Sequence, residues 1–258
     1  MTIFAGFDTF AYPGDAKMKS LWDYTNLYWC GLYLGPRFNW SPHFLKIRTM
    51  GWGVAPIYTG KNPGSQKLLV IKNQHRGDAD ALQRALYANG ALDGKEAVQQ
   101  AQAAHVPTAT ILYFDVENTI VDTGWLEYYR GWSRAVVDAY YSVGLYTRAA
   151  HASWLTTALL NYPGFDVCLP TIWIAKYTRA HANGAAVPAH DYLEPPFPLP
   201  DPRGAGGGAT SWQHLGNFGM KWPDSSAGVS KQMKFAPVDF DTSIFSDPGR
   251  GVLSTIAD

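Results

Sequence analysis

Eight short apolar runs, each rich in strand-forming residues, constrain this chain more than any single motif does. They fall at Ile3–Asp8, Tyr28–Leu34, Gly53–Tyr58, Ile111–Glu117, Val143–Tyr146, Thr171–Tyr177, Thr210–His214 and Val238–Asp241. Helical patterns or long connections separate them. Asp15 caps a helix running to about Asn26, Ser41-Pro42 supplies the start of another over Pro42–Met50, and a third covers Ser153–Leu160. Residues 59–110 carry a loop, a small extra strand at Lys67–Lys72, and helices over Asp78–Ala88 and Gly94–His105, the second opened by Asp93 and Glu96. Gly124–Ser142 reads as a helix whose Trp125, Tyr128, Tyr129 and Trp132 form a core stripe. This alternation argues for an α/β chain folded as one closed, parallel (β/α)8 barrel of the TIM type. Its connection between the third and fourth strands is long, and the loop between the sixth and seventh, residues 178–209, is rich in Pro and Gly. With 258 residues, no linker and no internal repeat, a single domain over residues 1–258 is expected.

The second constraint is where the acids fall. Ile111-Leu112-Tyr113-Phe114-Asp115-Val116-Glu117 is an apolar run that ends in two carboxylates. Side chains alternate across a strand, so Tyr113, Asp115 and Glu117 share one face while Leu112, Phe114 and Val116 share the other. At about 3.3 Å per residue, the two carboxylates sit roughly 6–7 Å apart at Cβ. That spacing suits two acids working on one substrate, or equally an ordinary strand end entering a polar loop. The wider pattern favours the first reading. Asp8 ends the first strand, and Asp239 and Asp241 end the eighth. Tyr58, Tyr177 and Trp212-Gln213-His214 stand at other strand ends. A barrel brings such ends around one mouth, where barrel enzymes keep their chemistry.

Composition narrows the field. Formal net charge is zero, which gives no electrostatic case for nucleic acid. No apolar run reaches about 18 residues, so no membrane insertion is expected. Cys30 and Cys168 lie in apolar runs and read as buried free thiols, and neither they nor the histidines have metal-ligand spacing. No metal and no cofactor is therefore expected. Ten Trp and fifteen Tyr suit flat, partly wet ligands such as sugars, although most must be core. The N-terminus shows no basic region with a cleavage site, so localisation stays open between the cytoplasm, export by another route, and export with a leader that this sequence does not include.

Gly6-Phe7-Asp8, Tyr113-Phe114-Asp115-Val116-Glu117, Trp173-Ile174-Ala175-Lys176-Tyr177, Trp212-Gln213-His214 and Val238-Asp239-Phe240 occur in the order seen in glycoside hydrolase family 25 lysozymes. Gly53-Val54-Ala55-Pro56-Ile57-Tyr58 resembles more closely the related glycoside hydrolase-like domains of uncharacterised bacterial proteins. The resemblance spans nearly the whole chain. It implies Glu117 as general acid and Asp115 as the group that stabilises developing charge or orients a 2-acetamido group. Asp8 and Asp239 complete the catalytic set and raise the acid's pKa by like-charge repulsion. Tyr58, Tyr177, Trp212, Gln213, His214 and Asp241 are the expected substrate-binding residues. His214 stands where the lysozymes usually have an aromatic residue, and Asp241 where they often have Asn. Both connections named above are longer than in the lysozymes.

The resemblance implies a hydrolase of N-acetylhexosamine-containing glycan, with bacterial peptidoglycan as partner and a muramidase-like reaction at the cell wall. A catalytically weak or inactive glycan-binding module on the same fold is the alternative, although binding alone would not require so many carboxylates. A barrel enzyme for a phosphorylated metabolite is disfavoured by the acidic mouth and by the lack of a Gly-rich phosphate loop after strands seven or eight.

Overall fold

The computed structural model describes residues 2–60, 64–117, 121–180, 199–219, 222–224, 228–233 and 237–250. Six strands alternate with helices and a seventh follows, in chain order: β1 (Phe4–Asp8), α1 (Asp15–Tyr24), β2 (Leu27–Tyr33), α2 (Phe44–Thr49), β3 (Gly53–Tyr58), α3 (Gly64–Gln74), α4 (Ala79–Ala103), β4 (Ile111–Asp115), α5 (Thr123–Asp138), β5 (Ser142–Arg148), α6 (Ala149–Leu160), β6 (Thr171–Ala180) and β7 (Ser211–Gly219). A two-stranded hairpin follows, β8 (Trp222–Asp224) with β9 (Gly228–Met233), and then the last strand, β10 (Pro237–Ser243). Eight strands close into a barrel in the order β1-β10-β7-β6-β5-β4-β3-β2.

The closed eight-stranded barrel is as expected, but one strand departs from the all-parallel reading. β10 pairs antiparallel with both β1 and β7, whereas all other barrel neighbours are parallel. The physical reason lies in the connection. A parallel neighbour needs a crossover, usually a helix, while an antiparallel one needs only a turn at the same end. Between β7 and β10 the described residues form a hairpin and no helix, so the chain returns down the barrel directly. As a result Asp239 lies at the start of the last strand, not its end, and still faces the mouth. The segment after β10 crosses the opposite end of the barrel. There Tyr113 Oη donates to the Pro248 carbonyl at 3.0 Å, and Val54 N–H donates to Asp247 Oδ1 at 2.9 Å.

Two apolar layers follow from strand alternation. Phe4, Trp29, Ala55, Ile57, Ile111, Tyr113, Tyr146, Trp173 and Ala175 fill the barrel interior. The Trp173 ring lies at its centre, edge-on to Trp29, Tyr113 and Tyr146 at centroid distances of 5.2, 5.6 and 4.9 Å. Leu112, Phe114 and Val116 face outward into the helical layer, as the alternation predicts. Phe114 stacks on Trp132 at 4.9 Å, and the whole α5 stripe of Trp125, Tyr128, Tyr129 and Trp132 is buried.

Four local expectations fail. Asp15 is the first residue of α1, whose N-cap is Gly14, and does not cap it. Lys67–Lys72 lies inside α3 rather than in a strand, and the two helices expected over 78–105 are one continuous helix. Asp93 and Glu96 therefore sit in mid-helix, where Asp93 takes Lys67 and Tyr128 as partners. The continuity comes from α4–α5 contact. A Cβ on Gly90 would sit 1.8 Å from the Tyr128 carbonyl, and one on Gly131 would sit 2.1 Å from that of Tyr87, so glycines let the two backbones touch. The tertiary contact outweighs the weak intrinsic helix propensity of glycine. Both cysteines are free, as expected, but only Cys30 is buried; Cys168 is exposed. Among the described residues no helix is long and apolar enough to cross a membrane.

Candidate functional site

β1 carries Asp8 at its mouth end, and in the antiparallel β1–β10 ladder Asp8 pairs with Asp239 and Gly6 with Asp241. β4 delivers Asp115 at its last position. Glu117 follows in the turn beyond it, and its N–H donates to Asp115 Oδ1 at 3.1 Å, a local bond that fixes the two acids relative to each other. Asp8, Asp115, Glu117 and Asp239 are thereby gathered on the interior face at one end of the barrel. Asp8 and Glu117 each feel the Asp239 charge, Glu117 also feels that of Asp115, and Asp8, Asp115 and Asp239 all act on the Tyr33 hydroxyl between them.

A hydrogen-bond chain holds the floor of this mouth. Tyr146 Oη donates to Gln213 Oε1 at 2.6 Å, and Gln213 Nε2 donates to Asp8 Oδ2 at 2.9 Å and to Asp239 Oδ2 at 2.8 Å. Tyr33 Oη donates to Asp8 Oδ1 at 2.9 Å. Trp173 Nε1 donates to Asp241 Oδ1 at 3.0 Å. Sequence reasoning found Gln213 but missed Tyr33, Tyr146 and Trp173. The available signal was strand parity, since each stands on the inward face of its strand, Tyr33 and Tyr146 near the mouth end and Trp173 deeper in the barrel.

Burial raises the carboxyl groups. Asp115 is pushed up to about 6, mainly by burial, against the opposing pull of the Glu117 N–H and the Arg37 guanidinium. Glu117 is raised by burial first, then by the Asp115 charge and less by Asp239, with Arg148 opposing. Like-charge repulsion does raise Glu117, from Asp115 and Asp239, but desolvation is the larger cause. Asp8 is raised well above the usual carboxylate range by burial and by Asp239, even though Tyr33 and Gln213 favour its anion. Carboxyl groups that keep protons toward neutral pH can donate them in acid catalysis.

The other expected contacts divide. Gln213 points into the barrel, but Trp212 and His214 lie on the opposite face of the same strand. Trp212 Nε1 donates to the Lys176 carbonyl at 2.7 Å, and His214 Nδ1 lies 3.2 Å from the Phe240 carbonyl. Burial lowers His214 to about 4. Tyr58 also faces outward, stacking near Phe114 and Trp132 with its hydroxyl on Glu96 at 3.2 Å. These three residues serve the helical layer and not the mouth, because the period of two puts them on the wrong face. Asp241 faces inward and is buried one ladder pair deeper than Asp8 and Asp239. Tyr177 belongs to β6, and its side chain lies outside the described residues. Among the described residues no group of three or more His, Cys, Asp or Glu could hold a metal ion.

A family model for the "Rv2525c-like, glycoside hydrolase-like domain" matches residues 39–227. No curated protein matches the chain in sequence. Solved structures share the fold at low identity. An uncharacterised Bacillus stearothermophilus protein matches with a TM-score of 0.56 at 19% identity, over 92% of this chain and 94% of that one. The spore cortex lytic enzyme SleM of Clostridium perfringens matches with a TM-score of 0.52 at 15% identity, over 93% of this chain and 67% of that one. The Tat-secreted Mycobacterium tuberculosis protein Rv2525c, solved in complex with HEPES, matches with a TM-score of 0.51 at 14% identity, over 95% of this chain and 98% of that one.

Proposed function

Because the chain belongs to the Rv2525c-like, glycoside hydrolase-like domain family, we propose that its acidic mouth hydrolyses an N-acetylhexosamine-containing glycan, with peptidoglycan as the substrate class. The observation that carries this reading is the convergence of Asp8, Asp115, Glu117 and Asp239 at one end of the barrel, two of them joined by a local bond and raised by burial. Glu117 is the general acid. It lies furthest out along the two-acid stretch, and its raised pKa keeps a proton available for the leaving glycosidic oxygen. Asp115, fixed by the Glu117 N–H, faces the sugar and stabilises the positive charge developing at the anomeric carbon, or orients the 2-acetamido group that attacks it. Asp8 and Asp239, tied together by Gln213, form the anionic floor. The spore cortex lytic activity in SleM's name supports a cell-wall glycan over other polymers.

The test is incubation with purified peptidoglycan and analysis of released fragments for new reducing ends. New reducing ends that vanish in Glu117→Gln support the reading. Tight binding of the glycan without any release by the parent protein would replace it with the binding-module alternative.

A further inference from the structure

We propose that Asp241 is held as the neutral carboxylic acid and gives its proton in a hydrogen bond to Asp8, so that it acts as a positioning residue for that anion. The argument starts from the ladder. Asp241 stands opposite Gly6, two residues from Asp8 on β1, and the Trp29 ring covers Gly6 so closely that a Cβ there would lie 2.2 Å from it. With no side chain at Gly6, the nearest inward polar group on β1 is Asp8. Asp241 Oδ1 takes the Trp173 indole N–H, but Asp241 Oδ2 is buried and receives no donor. A buried carboxylate with an orphaned oxygen is costly, whereas the protonated group turns that oxygen into a donor.

The neighbours decide which acid keeps the proton. Asp8 receives two donors, Tyr33 and Gln213, and Asp241 receives one. The negative charge therefore belongs on Asp8 and the proton on Asp241. The titratable groups facing the pair are all acids: Asp239 from β10 faces both, while Glu117 from the turn after β4, Tyr33 from β2 and Tyr146 from β5 face Asp8. Burial first, then Asp8 and Asp239, raise Asp241 well above the carboxylate range, in the same direction. Three donors then converge on Asp8, from β2, β7 and β10, and fix its carboxylate at the floor of the mouth. The protonation state stands without the hydrolase reading; its kinetic consequence rests on that reading.

The experiment labels aspartate carboxyl carbons with 13C and titrates the whole protein by NMR, with Asp241→Asn used to assign the resonance. A signal absent from Asp241→Asn that keeps the protonated shift up to neutral pH supports the proposal. A signal that titrates in the ordinary carboxylate range overturns it. Turnover of peptidoglycan adds a second readout. An Asn side chain can still accept from Trp173 and donate to Asp8, so Asp241→Asn should recover at least about tenfold of the rate that Asp241→Ala loses, one hydrogen bond being worth about that factor. Equal loss in both variants, with both folded by circular dichroism, overturns the positioning role. If Asp241→Ala does not fold, the Asp8 resonance in Asp241→Asn decides, since a retained donor leaves it unmoved and a lost one shifts it. If the parent shows no turnover at all, the hydrolase reading fails while the NMR result still decides the protonation.

Discussion

Asp8 and Asp239 face each other across an antiparallel ladder, and one amide nitrogen, Gln213 Nε2, donates to both carboxylates. Two anions held this way lower each other's affinity for charge while the amide limits the cost. The arrangement exists because the last strand runs against the barrel direction, which puts the third residue of β10 beside the last residue of β1.

Removing that amide should be expensive. Gln213→Leu leaves Tyr146 Oη, Asp8 Oδ2 and Asp239 Oδ2 each short of a partner, so unfolding in urea at neutral pH should show a loss of roughly 1–3 kcal/mol or more. An unchanged midpoint would mean that water takes over the amide's bonds.

Glu117→Gln should preserve the fold and glycan binding but lose about 10²- to 10⁴-fold in turnover, the usual contribution of a general acid. A substrate with an activated leaving group needs little protonation, and on it the variant should recover most of its rate. Steady-state kinetics on peptidoglycan and on an aryl glycoside make the comparison.

Asp115→Asn should be slow on both substrates, because it weakens charge stabilisation rather than proton donation. Recovery of its rate on the activated substrate would exchange the roles of Asp115 and Glu117.

The same substitution should change how stability depends on pH. In the fold Asp115 keeps its proton up to about 6, whereas an unfolded aspartate ionises near 3.9. Between those values the folded state binds more protons, so Asp115 makes stability fall as pH rises through the window, and above it the full cost remains. Asp115→Asn removes this cost while its side-chain oxygen can still accept the Glu117 N–H. Urea melts at about pH 4 and about pH 7 should show the variant gaining on the parent at the higher value.

Gly131→Ala places a methyl group 2.1 Å from the Tyr87 carbonyl, where backbone and not a flexible side chain must move. The expected loss is about 1–3 kcal/mol in thermal or chemical unfolding, the range for overpacking a closed interface. Gly77→Ala tests a different cost. A Cβ there meets nothing within 4 Å, but the residue has φ +92°, so its loss reports backbone strain alone.

The strands, and the acids on them, were legible because period-two alternation is a local property. Tyr113 turned inward and Phe114 outward as their parity requires, and Asp8, Asp115, Glu117 and Asp239 could be grouped once the strands were placed at one mouth. The same rule, applied more strictly, would have sent Tyr58, Trp212 and His214 to the helical layer and brought in Tyr33, Tyr146 and Trp173. What alternation could not supply is the direction of the last strand, since a strand reads the same whether it runs up or down the barrel. Among the described residues before β10 a hairpin stands in place of a helix, and that goes with the reversed direction. The continuity of α4 through Gly90 and Gly94 was likewise decided by contact with α5, a surface no window of sequence contains. The protonation proposed for Asp241 depends on Asp8 and Trp173 from other strands and on Asp239 two residues back on its own. The sequence by itself thus determined which side chains share a face. Strand direction, the shared amide and the depth of each acid were decided only by tertiary structure, because each is set by partners distant in the chain.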